Sequence, residues 1–131
     1  MPRDSAARWI SFVLRAAFSA CIFLLVVFSW LPARHMTRTD VGGLVEHITA
    51  YLGTAVIMGL AYREAPRIFV QFALLLTLAA VLEIGQLYSP GRQASFRGFA
   101  ASAFGLAIGG FLLWSARRRM LRWLGLDRVV K

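Results

Sequence analysis

Polar positions in this chain are gathered into short clusters, and the stretches between them are almost wholly apolar. The first apolar run extends from about Ala16 to Leu31 and stops at Pro32, with Trp9 and Trp30 at its flanks. The second runs from about Val41 to Tyr62. The third runs from about Ile68 to Tyr88, and Pro66 stands just before it, where proline is tolerated at a helix start. The fourth runs from about Gly98 to Ala116, with Trp114 near its end. Each run approaches the ~20 residues that a membrane-crossing helix needs, and tryptophans at the ends of such runs suit the membrane interface. The connections are short, so neighbouring helices should be antiparallel. The pattern predicts an all-α integral membrane four-helix bundle. It forms a single domain over residues 1–131, with spans at about 16–32, 41–62, 68–88 and 98–116 and a basic tail over 117–131.

Composition agrees with the pattern. Of the 131 residues, 59% are hydrophobic and 16% charged, and the mean hydropathy is +0.65. Soluble domains are about 45–50% apolar and about 25% charged, and disorder requires low hydrophobicity, so both classes are excluded. The net charge of +9 would suggest nucleic acid in a soluble protein. Here the basic residues sit between apolar runs and in the tail, which is the signature of membrane topology; no nucleic-acid partner is expected. Arg3, Arg8, Arg15, Arg63, Arg67, Arg117, Arg118, Arg119, Arg122, Arg128 and Lys131 fall on one side of a four-span chain, and only Arg34, Arg38, Arg92 and Arg97 on the other. Both termini are therefore expected in the cytoplasm. The first run is read as an uncleaved helix rather than a signal peptide, because Trp30, Leu31 and Pro32 crowd Ala33 where small residues are wanted. The tail is read as a positive-inside anchor. Cys21 is the single cysteine, which excludes an internal disulfide and a cysteine-built zinc site.

Polar residues inside the runs need partners, since hydrocarbon offers none. In the second run His47, Tyr51 and Thr54 recur at i, i+4 and i+7 and share a helix face, with Glu46 alongside. In the third, Glu83 and Gln86 are i, i+3 neighbours. With the topology above, His47 lies about 6 Å in from Gly43, and Glu83 about 7.5 Å in from Tyr88, at 1.5 Å per residue. Arg92 and Arg97 occupy the outer loop, and Ser102 is one turn into the fourth run. Glu46, His47, Tyr51, Glu83, Gln86, Arg92, Arg97 and Ser102 thus converge at one depth on the outer side, as a candidate ligand site. The structural alternative is that His47 and Tyr51 hydrogen-bond to Glu83 and Gln86, joining the second and third helices, while Glu46 snorkels to the headgroups. Gly98, Ser102, Gly105 and Gly109 form a small-residue stripe on the fourth helix, and Gly105 to Gly109 is a GxxxG. Such stripes let helix backbones approach closely; this one should seat the third helix of the same chain, or else a second protomer.

Arg92 and Arg97 have the geometry to clamp a phosphate or carboxylate, with Glu83 beneath them able to exchange a proton. Metal binding is not expected, since Glu46-His47 is not HExxH and His35 is the only other histidine. There is no G-x-S-x-G and no phosphate-cradling P-loop. No cofactor and no catalytic set are expected.

The stretch from Leu82 to Ser95, which contains Glu83-x-x-Gln86, Pro90-Gly91-Arg92 and Ser95, resembles the VanZ-like family of small bacterial membrane proteins. His47-Ile48-Thr49-Ala50-Tyr51 is similar to that family's histidine–x–x–alanine–tyrosine, and Gly105 and Gly109 match its paired glycines. The resemblance covers about Gly43 to Gly110, roughly half the chain. The chain departs from the family where an aspartate-lysine pair precedes the histidine (here Gly43-Leu44), where an aspartate follows the arginine by six (here Gly98), and where an asparagine stands four further on (here Ser102). The resemblance implies a multi-pass protein of the bacterial cytoplasmic (inner) membrane, with a possible link to glycopeptide resistance or envelope homeostasis. Three readings follow. The leading one is a non-enzymatic protein binding an anionic envelope lipid or lipid-linked precursor at the outer interface. The second is an accessory or structural subunit that packs on a protein partner, or on a second copy, through its fourth helix. The last is an enzyme on a lipid-linked substrate with Glu83 as base.

Overall fold

The computed structural model describes residues 2–32, 40–62 and 68–123, with side chains over 8–32, 42–62 and 68–119. Among these residues there are four α-helices and no strand: α1 (Pro2–Trp30), α2 (Asp40–Ala61), α3 (Ile68–Gly85) and α4 (Phe96–Trp123). A short 3₁₀ turn, Gln86–Tyr88, extends α3. Each helix contains a stretch long and apolar enough to cross a membrane: Arg8–Trp30, Gly42–Ala61, Ile68–Tyr88 and Phe96–Arg119. Arg34, His35, Arg38, Arg63, Pro66, Arg67 and the tail beyond Trp123 lie outside the described residues.

Two helices outrun their apolar segments. α1 has 29 residues and α4 has 28, or about 43 and 42 Å at 1.5 Å per residue. Residues 2–15 contain no internal proline or glycine to stop a helix, and Pro2 occupies its tolerated first position. Likewise the run Ala116–Trp123 has arginines and leucine in place of any breaker, so the helix continues into what the hydropathy pattern assigns to the tail.

Large apolar side chains remain exposed on every helix, among them Phe12 and Phe23 on α1, Val45 on α2, Phe69 and Leu74 on α3, and Phe104 and Phe111 on α4. A soluble monomer rarely leaves so much contiguous apolar surface uncovered. The interior is a small core of Tyr51, Ala55, Met58, Leu75, Ala79 and Leu106.

α2 and α4 form the most extensive helix contact, and glycine makes it possible. A Cβ at Gly105 would fall on the carbonyl oxygen of Ile48, and one at Gly109 would lie 2.7 Å from Ala55 Cβ and 3.0 Å from Leu52 O. From the other side, Gly59 admits Leu113. The GxxxG stripe therefore seats α2 rather than the expected α3. At its first residue the stripe reaches α3, where Gly98 faces Glu83; Gly110, beside the stripe, faces Phe72 of α3.

Candidate functional site

The site is organised by the connection between α3 and α4. Ser89 to Arg92 form a turn closed by Arg92 N–H donating to Ser89 O at 3.1 Å, with Gly91 at φ 75°. Proline at the second position and a positive-φ glycine at the third are the chemistry of a type II turn. The turn sends Arg92 back to the end of α1. The last carbonyls of a helix lack intrahelical donors, and those of α1 are met from this loop. Arg92 Nε donates to Leu31 O at 3.0 Å, an Arg92 terminal nitrogen donates to Phe28 O, and Ser89 Oγ donates to Trp30 O at 3.2 Å. A cation at a helix C-terminus also complements its dipole. Gln86 Nε2 donates to Ser29 Oγ at 3.2 Å, and Ser29 Oγ donates to Leu82 O at 3.3 Å, which ties α3 to the same helix end.

Glu83 does the opposite job at the start of α4. Ser95 is the N-cap: its Oγ accepts from Gly98 N–H at 3.0 Å. In a capping box, an acidic or amide side chain at the position of Gly98 would reach back to the N–H of the cap. Here that residue has no side chain, and Glu83 supplies the carboxylate from α3, with Oε1 accepting from Ser95 N–H at 2.7 Å. A Cβ on Gly98 would lie 2.8 Å from both Glu83 oxygens. The glycine thus makes the space that Glu83 fills, and the negative charge rests at the positive end of α4.

Helix α2 completes the site. His47 Nδ1 lies 3.1 Å from Ser102 Oγ, while Ser102 Oγ donates to Gly98 O at 3.0 Å. With the serine's single hydrogen given to that carbonyl, the hydrogen-bond network assigns Nδ1 as the donor. The Tyr51 hydroxyl also lies against Ser102. The partners differ from those of the structural alternative, in which His47 and Tyr51 bond to Glu83 and Gln86: His47 and Tyr51 meet Ser102 on α4, Gln86 meets Ser29 on α1, and Glu83 meets the α4 cap.

The four helices enclose a cavity of about 280 Å³. Glu46, His47, Tyr51, Glu83, Gln86, Arg92 and Ser102 all line it; Arg97, exposed on the first turn of α4, does not. The expected two-arginine clamp is therefore not formed. Arg97 is outside the cavity, and Arg92, only 8% exposed, is engaged by α1 carbonyls. Comparison with protein-family models, curated proteins and solved structures finds no match to this chain.

The apolar wall of the cavity was not foreseen. It comes from α1, through Cys21, Leu24, Leu25 and Phe28. Ser29 was also missed as a site residue; its signal was a lone serine beside the tryptophan that ends the run. Of the lining residues, Leu24 and Phe28 on α1 and Glu46 and Ala50 on α2 keep substantial exposure, so the mouth opens sideways between these two helices. No group of three potential metal-ligating side chains occurs among the described residues. The arrangement joins an apolar wall, a polar floor and a lateral mouth. That form suits an amphipathic guest whose polar end enters while its apolar part stays beside α1.

Proposed function

We propose that this chain is a divergent VanZ-like protein of a bacterial cytoplasmic membrane that binds an envelope lipid or lipid-linked precursor without turning it over. In this reading it crosses the membrane four times, with both termini cytoplasmic. The bias of Lys and Arg to one side supports that orientation. The cavity belongs to the other side, because its lining comes from the later part of α1 and α3 and the earlier part of α2 and α4. The ligand reaches it through the leaflet, between α1 and α2.

One observation carries the proposal. Polar side chains from all four helices and the loop before α4 converge on a cavity that has an apolar wall on α1 and a mouth that faces sideways. The stripe on α4 supports no competing docking role, because α2 covers Gly105 and Gly109.

The test uses Ala50, which is exposed at the mouth and outside the buried core. Ala50→Trp should obstruct entry without disturbing packing. Protein extracted into native nanodiscs and released in the mass spectrometer should retain a defined lipid as wild type and lose it as Ala50→Trp. Equal lipid retention by both would refute the proposal.

A further inference from the structure

Most of the lining's donors are engaged by the protein itself, and the Tyr51 hydroxyl among them meets Ser102. Ser29 Oγ donates to Leu82 O, Thr54 Oγ1 to Ala50 O, and Ser102 Oγ to Gly98 O. Gln86 Nε2 points to Ser29, and Arg92 gives two of its nitrogens to α1 carbonyls. His47 Nδ1 is directed to Ser102. A phosphate or carboxylate guest needs convergent donors, and these are turned to the protein.

Acceptors are arranged differently. Glu46 lines the mouth and is exposed. Glu83 lines the interior, is 8% exposed, and has one oxygen on the α4 cap. A carboxylate only accepts. Among the described residues one guanidinium lines the cavity, at the negative end of α1, and the Glu83 carboxylate lies at the positive end of α4, so each is balanced locally. Glu46 has no such balance at a helix end among the described residues. The described lining is therefore net negative at its mouth, which disfavours an anion and favours a cation.

Building on the lipid-site reading above, we propose that the cavity selects a headgroup bearing a primary ammonium, and so takes an aminolipid in preference to an anionic one. An ammonium offers three donors on a compact centre, which matches acceptors on α2 and α3. The volume of about 280 Å³ equals that of roughly nine waters at ~30 Å³ each. It holds an aminoalkyl or amino-sugar head and a few methylenes, while the chains remain in the bilayer against Leu24 and Phe28. This reverses the charge preference that Arg92 and Arg97 suggest from sequence.

The test measures binding of phosphatidylethanolamine and phosphatidylglycerol with identical short chains to the delipidated, detergent-solubilised full chain by native mass spectrometry. Variants Glu46→Gln and Glu83→Gln are compared with wild type and with Arg97→Gln. Glu46 is exposed, and glutamine at 83 keeps an acceptor for the Ser95 N–H, so both variants retain the fold. Phosphatidylethanolamine should bind wild type and Arg97→Gln more tightly than phosphatidylglycerol by roughly tenfold or more, the ratio that 1.4 kcal/mol confers. Either carboxylate substitution should reduce that ratio severalfold. Competition by soluble ethanolamine would locate recognition in the amine alone, and its absence would show that the lipid chains are also required. Equal binding of the two lipids, tighter binding of phosphatidylglycerol, or an unchanged ratio in both glutamine variants would overturn the ammonium assignment. If binding of both lipids instead survives Ala50→Trp, the lipid-site reading itself fails, so the two failures are distinguishable.

Discussion

Substituting Arg92 separates two accounts of the same residue. If its guanidinium exists to cap α1, Arg92→Ala should loosen the end of that helix and destabilise the bundle. The structure gives the size of the effect. At least two hydrogen bonds, to Leu31 O and Phe28 O, are lost from a side chain that is 8% exposed. At about 1.5 kcal/mol each, the low end for a bond with one charged partner, the loss is about 3 kcal/mol or more. Arg92→Lys keeps the positive charge at the helix end but replaces the planar fork with a single point, so it should recover about half of that loss. The assay is reversible unfolding by steric trapping in bicelles, with hydrogen exchange followed at residues 28–31. The cap predicts the order wild type, lysine, alanine in stability, and faster exchange at the α1 C-terminus in the same order. Unchanged stability and exchange in Arg92→Ala, together with loss of bound lipid, would show that the arginine serves a ligand and that the reasoning from helix ends is wrong.

Three further outcomes follow from the packing. Gly105→Leu places a side chain on the backbone of Ile48, and overpacking against backbone should cost about 3 kcal/mol or more and part α2 from α4; native-like thermal stability in bicelles would contradict it. Gly98→Asp sets a second carboxylate against Glu83. It should be less stable than Gly98→Asn by roughly 1–4 kcal/mol, and Glu83→Gln should remove most of that difference; equal stability of the aspartate and asparagine variants would count against the position assigned to Glu83. A double-mutant cycle between His47→Ala and Ser102→Ala should yield a coupling of about 0.6 kcal/mol, typical of interhelical hydrogen bonds in membranes, and zero coupling would remove the bond as a contributor.

Most of the bundle was legible in the sequence because apolar length is a direct physical requirement. The ends of α1 and α4 were not, since hydropathy reports where a helix is greasy and not where its backbone stops. The convergence of His47, Tyr51, Glu83, Gln86, Arg92 and Ser102 followed from helix rise and the order of the runs, and they share one cavity. Their partners could not be read. The spacing of Glu83 and Gln86 fixes a common face but does not say that one meets the start of α4 and the other the end of α1. Arg92 looked like a free clamp because sequence does not display the unmet carbonyls of a helix that ends sixty residues earlier. Arg97 follows it by five residues but lies past the N-cap, on the outward side of α4, and so drops out of the site. The partner of Gly105 and Gly109 was misplaced for a similar reason: a small-residue stripe declares close packing without naming the helix packed upon it.

The central claim is that a lipid enters between α1 and α2 and occupies the cavity. A photoreactive diazirine amino acid at Leu24, on the cavity wall, tests it in native membranes, with the same group at Val81, which is 54% exposed at the cavity end of α3 and does not line the cavity, as the reference. The account predicts that Leu24 captures one lipid class strongly enriched over the mixture captured at Val81, and that Ala50→Trp abolishes the enrichment. The same bulk lipid composition at both positions would contradict it.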